Sequence, residues 1–175
     1  MSSLEGEGFT LRRASADDVD FLASLATNDA VQPFLAVVSA HSPQEFRAEV
    51  ERAEKEPDHH GRFILEVAGE RAGSMAFSVV NRRSRIASLY GLMIHPDYRG
   101  RGLADAAARV FSRHLLLDLG FHRLELECYG FNDRAIRHAE RIYVREGVKR
   151  KAYWRDGGWV DGVTFSLLRE DLDER

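Results

Sequence analysis

The residues of this chain with the most pointed chemistry lie in one run, Arg99-Gly100-Arg101-Gly102-Leu103-Ala104. The run follows an apolar segment ending Leu92-Met93-Ile94 and opens directly into an apolar-periodic stretch, Leu103 to Leu117. Two glycines let a backbone turn tightly and approach a ligand with no Cβ in the way. The first N–H groups of a following helix have no intrahelical partner and sit at the positive end of its dipole, so they favour an anion. Arg99 and Arg101 would add bidentate phosphate contacts. The chemistry expected is a phosphate or pyrophosphate cradle; the plainer alternative is a glycine-rich turn beside two solvated arginines. A Walker loop is excluded, because no Gly-x-x-x-x-Gly-Lys-Ser/Thr occurs. A dinucleotide fingerprint fails as well. Asp105 stands where its third small residue belongs, and a hairpin-rich segment rather than a βαβ unit precedes the loop.

The elements that must position this run can be read from periodicity and punctuation. Phe9 to Arg13 alternates as a short strand. Ser15-Ala16-Asp17-Asp18 resembles a capping box, and Phe21, Leu22 and Leu25 give the helix after it an apolar face. A loop spans about Asn28 to Ala40, and Ser42-Pro43-Gln44-Glu45 starts a second helix that ends before Pro57. Arg62 to Ala68 and Met75 to Val80 read as a hairpin joined through Gly69 to Gly73, with a further strand over Ile86 to Ile94. Leu103 to Leu117 is the strongest helix, with Gly120 as its stop. Arg123 to Tyr129 alternates, setting Leu124, Leu126 and Cys128 on one face and Glu125, Glu127 and Tyr129 on the other. A helix follows from Asp133 to about Tyr143. Lys149 to Arg155 and Trp159 to Leu168 close the chain as a hairpin around Asp156-Gly157-Gly158. This order predicts an α/β protein of the α+β type, with helices covering a mixed, mostly antiparallel sheet.

Composition bounds the rest. The length of 175 residues suits one domain spanning residues 1 to 175, with its core at about 9 to 168. Lys plus Arg number 25 against 28 Asp plus Glu, a net charge of −3 that argues against a dedicated nucleic-acid binder. The lone Cys128 rules out an internal disulfide and any cysteine-based zinc cluster. His59-His60 has no third ligand at suitable spacing, so no metal is expected. Neither a secretory signal nor an apolar run of membrane length is visible; a cytoplasmic protein without a membrane partner is expected.

Arg99 to Ala104, placed after the strand ending Leu92-Met93-Ile94, resembles the acetyl-CoA motif of the GCN5-related N-acetyltransferase (GNAT) family. Asn132-x-x-Ala135-Ile136 is similar to that family's second signature. Asn28-Asp29-Ala30-Val31 and Trp159-Val160-Asp161 resemble the subgroup of RimJ/RimL-type ribosomal-protein Nα-acetyltransferases and spermidine acetyltransferases. The resemblance implies the GNAT fold, with helices on both faces of the sheet, and acetyl-CoA as the acetyl donor. It implies that Leu92, Met93 and Ile94 pair with the donor's pantetheine arm as an added strand would. Arg99, Gly100, Arg101, Gly102, Leu103 and Ala104 would bind the pyrophosphate, and Asn132 with Ala135 would hold the arm where two strands splay. It further implies direct transfer to a primary amine, either a small molecule or a protein N-terminus, and it leaves room for a homodimer. Three positions depart from the pattern. Asp97 stands where the motif often begins with Gln or Arg, and Ala139 where many members carry a tyrosine acid. Ile142-Tyr143 is one residue shorter than the usual Leu-Gly-Phe. Tyr143, four residues past Ala139, is the candidate to replace that acid on the same helical face.

An alkylamine of pKa near 10 must lose a proton before it attacks, which asks for a carboxylate or a water ordered by one. Glu127 is the candidate base, with Glu125 and Glu66 as alternatives; Tyr90 and Ser88 could order the water. For each of these the plainer reading is a salt-bridged or packed strand residue. Cys128 reads as a core residue, not a nucleophile. Arg134, Arg137, Arg141 and Arg145 form a helical stripe, read as a solvated face unless its first members reach a cofactor phosphate. The resemblance implies that acceptors enter near residues 16 to 56, opposite a wall to which Tyr153, Trp154 and Trp159 could contribute. Residues 1 to 60 carry 5 basic and 12 acidic side chains, which favours a cationic acceptor there. The competing readings are a GNAT-fold module that binds acyl-CoA without turnover, and an unrelated phosphate-binding protein.

Overall fold

The computed structural model describes residues 3 to 35 and 41 to 173. Strands β1 (Leu4–Gly6), β2 (Phe9–Arg13), β3 (His60–Val67), β4 (Glu70–Asn81), β5 (Ile86–Ile94), β6 (Arg123–Tyr129), β7 (Val144–Arg155) and β8 (Gly158–Leu168) form one sheet. Their order is β1-β2-β3-β4-β5-β6-β8-β7, and every neighbouring pair is antiparallel except β5 and β6. Helices α1 (Val19–Ala26) and α2 (Pro43–Lys55) pack on one face, where Leu22, Leu25 and Phe46 meet Ile64 and Met93. Helix α3 (Leu103–Arg113) covers the other face with α4 (Asp133–Glu140) beside it, and Ala107, Phe111 and Ala139 join Phe63, Phe77 and Phe165 there. The mixed, mostly antiparallel sheet with helices on both faces is as expected.

The alternation of β3 explains the two cores. Phe63 and Leu65 point to the α3 side and Ile64 to the α1–α2 side, and all three are buried. Phe111 stands edge-on to Phe63 and Phe77, with ring centroids 5.0 and 6.1 Å away. Each such buried aromatic contributes about 1.5–3 kcal/mol over leaving it exposed. The expected cap at Ser42 forms: its hydroxyl accepts from the Glu45 amide at 3.2 Å, and Glu45 accepts from the Ser42 amide at 2.9 Å. At the other cap Asp18, fully buried, accepts from Arg12, Arg71 and the Ser15 amide, each at 2.8 Å. Burial alone would push that carboxyl up; Arg12, Ser15 and Arg71 together hold it well below the usual carboxylate range.

Several boundaries differ from the sequence reading. The β3–β4 turn is only Ala68-Gly69, both at positive φ (52° and 82°), so β4 starts at Glu70 and not at Met75. Polar Glu70 and Arg71 disguise the start of that strand. Beyond α3 the chain continues through a wider π turn, His114–Asp118, before Gly120 stops it at φ 69°. Helix α4 ends at Glu140, three residues short of Tyr143, and β7 begins at Val144 and not at Lys149. Tyr143 therefore does not share a helical face with Ala139. Its amide still reaches the Ala139 carbonyl at 2.8 Å, but in a turn that leaves the helix. Strand β1 carries no periodic signal over three residues and was not expected. Of the expected loop from Asn28, residues 36 to 40 lie outside the described ones.

Candidate active site

Strands β5 and β6 are paired at Ile86–Arg123, Ala87–Leu124 and Ser88–Glu125, and then part. Beyond that point β5 stays bonded to β4 and β6 to β8, so the facing edges of Leu89–Ile94 and Leu126–Tyr129 border a cleft of about 600 Å³. A bulge in β5 helps to open it: Gly91 and Leu92 oppose the single residue Met75, with Gly91 at φ 62°. The Gly91 carbonyl accepts from Nη1 of buried Arg62 at 3.3 Å, and any Cβ on Gly91 would strike that guanidinium. Arg62 also donates to Glu49 at 2.7 and 2.9 Å and to Ser74 Oγ at 3.1 Å, and it lies 5.4 Å from the Tyr90 ring centre.

At one end of the cleft the glycine loop meets the start of α3. Gly100 and Gly102 have φ of 76° and 71°, and where each would carry a Cβ there is only open space. Leu103, Ala104 and Asp105 in the first turn of α3 line the cleft, as do Leu92, Met93, Ile94, Asn132 and Ala135. Asn132 caps α4 by accepting from the Ala135 amide at 3.1 Å, a role that the sequence reading did not give it. The arginines divide otherwise than expected. Arg99 lines the cleft but spends its guanidinium on backbone, donating to the Ile94 carbonyl at 3.2 Å and the Ala30 carbonyl at 3.0 Å. Arg101 is exposed and outside the lining, donating to the Asp97 carbonyl at 3.2 Å beside the Tyr98 ring. The cationic lining instead includes Arg134 and Arg141 of the stripe. Arg141 is paired to Asp105 at 2.6 Å, while Arg145 lies on β7 and pairs with Glu140. Burial first, and then the neighbouring charge of Arg134, draws the Arg99 pKa down. An anion between these two guanidiniums would relieve that repulsion. An open glycine cradle, a first turn of α3 without a side-chain cap, a β5 edge that pairs with no strand beyond Ser88 among the described residues, and Arg134 fit a long, phosphate-bearing ligand.

On β6, Leu126 and Cys128 pack toward the α3–α4 side, so alternation carries Glu127 and Tyr129 to the α1–α2 side. Glu127 Oε2 accepts from Lys149 Nζ at 2.6 Å, while Oε1 is buried and accepts no hydrogen bond among the described residues. The Tyr129 hydroxyl is likewise buried and unpaired among them. Tyr153 stands edge-on to Tyr129 at 5.6 Å, and its hydroxyl is pushed up to about 12 by burial and by Glu127. Tyr90 is raised to about 12 by burial and Glu49. Tyr143, buried with its hydroxyl 3.0 Å from Ser112 Oγ, is also raised to about 12 by burial. All of these tyrosines line the cleft, as does Cys128, whose thiol burial and Glu127 push up to about 12; a thiol so raised is a poor nucleophile.

Other candidates fall away from the cleft. Glu66 pairs with Arg12 and Glu125 with Arg123. Trp154 and Trp159 pack on each other at 5.2 Å with 60% of each exposed, outside the lining. From residues 16 to 56 only Val31, Phe34 and Leu35 reach the cleft among the described residues, so the acidic surplus of that half does not line it. Their loop is clamped from two sides, by Arg99 on the Ala30 carbonyl and by Arg155 on the Leu35 carbonyl at 3.1 Å. The arginine stripe marks Arg134 as a candidate phosphate contact, whereas no local sequence pattern marks Arg155 or Arg62 for these roles.

The description "Acetyltransferase (GNAT) domain" fits residues 9–143 by comparison with protein-family models. The chain belongs to the GNAT family. Over 169 residues, 96% of this chain and 94% of the relative, it is 25% identical to the SPbeta prophage-derived uncharacterized N-acetyltransferase YokL of Bacillus subtilis. It is 30% identical to the spermidine N(1)-acetyltransferase of Escherichia coli over 109 residues, 62% of this chain and 55% of that one. Among solved structures, a chimera of the Vibrio cholerae spermidine N-acetyltransferase SpeG with hSSAT superimposes with a TM-score of 0.82 at 21% identity, covering 97% of this chain and 100% of that one. The ribosomal-protein alpha-N-protein acetyltransferase RimL, solved with coenzyme A, gives 0.81 at 17% identity over 95% of this chain and 98% of that one. This GNAT chain is an N-acetyltransferase whose acetyl donor is acetyl-CoA.

Proposed function

We propose that the chain belongs with the RimJ/RimL-type and spermidine acetyltransferases within the GNAT family. Its acceptor on this reading is the primary amine of a small molecule or of a protein N-terminus, which attacks acetyl-CoA directly. The observation that carries this is the parting of β5 and β6, which opens the sheet from face to face. The glycine loop and α3 lie toward one side of the opening, and Glu127, Tyr129 and Tyr90 toward the other. Bound acetyl-CoA supplies a thioester carbonyl with a thiolate leaving group. Backbone amides from Arg99 to Ala104, with Arg134, hold its pyrophosphate. The free edge of Leu92, Met93 and Ile94 bonds its arm, and Asn132 with Ala135 borders that arm from α4. Glu127, directly or through a water near Tyr90, takes the proton that the ammonium must lose. The Tyr143 hydroxyl, neutral across the physiological range, donates toward the departing sulfur.

Ala104→Glu tests the cradle without harming the helix, since a carboxylate suits a helix N-terminus. Its charge opposes a pyrophosphate there, so the KM for acetyl-CoA should rise by about tenfold or more, with the melting temperature held or raised. An unchanged KM in thiol-release assays would remove the cradle from this loop.

A further inference from the structure

The charge around the acceptor side of the cleft is not what an amine-binding site would suggest. Among the described residues its lining holds two carboxylates, Asp105 and Glu127. Asp105 is bound to His138 and Arg141 on the α3–α4 side. Glu127 is bound to Lys149 at 2.6 Å. The acceptor side is otherwise uncharged, with Val31, Phe34, Leu35, Tyr90, Tyr129 and Tyr153. Residues 36 to 40, Ala-Val-Val-Ser-Ala, which lie outside the described residues, contain no ionisable side chain. Arg155, 5.0 Å from the Tyr129 ring centre and 3.6 Å from Asp156, joins Lys149 on this side.

We infer that Lys149 is a specificity-determining residue: its ammonium already occupies the carboxylate of Glu127, so acceptors whose body carries a second cation are disfavoured against those with a neutral or anionic body. The inference rests on the N-acetyltransferase reading and on Glu127 facing the acceptor. A polyamine entering here must displace Lys149 or leave its second charge beside Lys149, with no unpaired carboxylate in the cleft lining among the described residues to receive it. The buried Oε1 of Glu127 and the buried Tyr129 hydroxyl remain available to one amine group. One such pair can bind a single ammonium head; it cannot neutralise two.

A matched set of amines reads this directly: hexylamine, 1,6-diaminohexane and 6-aminohexanoate share one chain and differ in the charge at the far end. Transfer is followed by CoA thiol release, and binding by calorimetry with CoA present. For the native chain, the diamine should be at least about tenfold poorer than hexylamine in both kcat/KM and affinity, and 6-aminohexanoate should match or exceed hexylamine. Lys149→Met keeps the exposed stem and removes the charge. It should raise the diamine-to-hexylamine ratio about tenfold in both kcat/KM and affinity, whatever change the two amines share through Glu127, and Lys149→Arg should keep the native order. A native preference for the diamine, an equal rise for all three amines in Lys149→Met, or no binding of the diamine to that variant would overturn the inference. Differential binding as described, but without transfer to any amine, would fault the enzymatic reading and leave the role of Lys149 standing.

Discussion

Glu127 owes its position to a missing side chain on the neighbouring strand. Gly162 lies diagonally opposite on β8, and a Cβ there would collide with the Glu127 carboxylate and the Tyr153 ring. The collision falls on side-chain atoms, so Gly162→Ala should shift the carboxylate more than it unsettles the sheet. The expected result is a fall of about tenfold or more in kcat/KM for the amine with the KM for acetyl-CoA nearly unchanged, a split that steady-state kinetics would reveal. Unaltered amine kinetics would remove Glu127 from the acid–base step. At this scale the sequence was informative where a residue's chemistry is fixed by its neighbours in the chain. Gly100, Gly102 and Ala104 stand where their spacing put them, beside Leu92 to Ile94. It was uninformative where the role depends on a distant partner. Arg99 and Arg101 look alike as a phosphate pair, yet one staples the loop to Ala30 and the other lies outside the cleft.

Among the elements, β5 carries the most. Its bulge at Gly91 turns its free edge toward the cleft, and Arg62 holds the bulge from beneath while binding Glu49 on α2. Arg62 is 2% exposed, so losing it strands Glu49 and the Gly91 carbonyl. Arg62→Met should cost about 3 kcal/mol of stability, from urea melts. It should also raise the KM for acetyl-CoA, because the edge that meets the arm loses its support. Wild-type affinity in a destabilised variant would mean that the bulge holds its shape unaided. Both β5 and β6 were legible from end to end, β6 by its alternation and β5 as a largely apolar run closed by His95-Pro96. The start of β7 and the end of α4 were not. Arg141 to Arg145 keeps a helix-like arginine spacing across a turn, and only packing of Ile142 and Tyr143 into the core ends the helix there.

Across the whole molecule, the division of charge along the chain does not survive folding. The surplus of acid in residues 1 to 60 is spent on Asp18 with Arg12 and Arg71, on Glu49 with Arg62, on the cap at Glu45 and on exposed positions, none of it in the cleft lining. Net charge by segment reports composition; which carboxylate finds which guanidinium is a matter of tertiary contact. The three paired positions between β5 and β6 have a mechanical meaning as well. They are the seam between two half-sheets, β1 to β5 and β6 to β8, and the ladders flanking it, β3–β4, β4–β5, β6–β8 and β7–β8, each run to seven or eight pairs. A seam so short should let the halves breathe against each other. Amides of Leu89 to Ile94 on the open edge should then exchange hydrogen for deuterium faster than their partners in β4. Saturating CoA should slow that exchange on both sides of the gap at once, making the donor a clasp that sets the stiffness of the protein before any acetyl group moves.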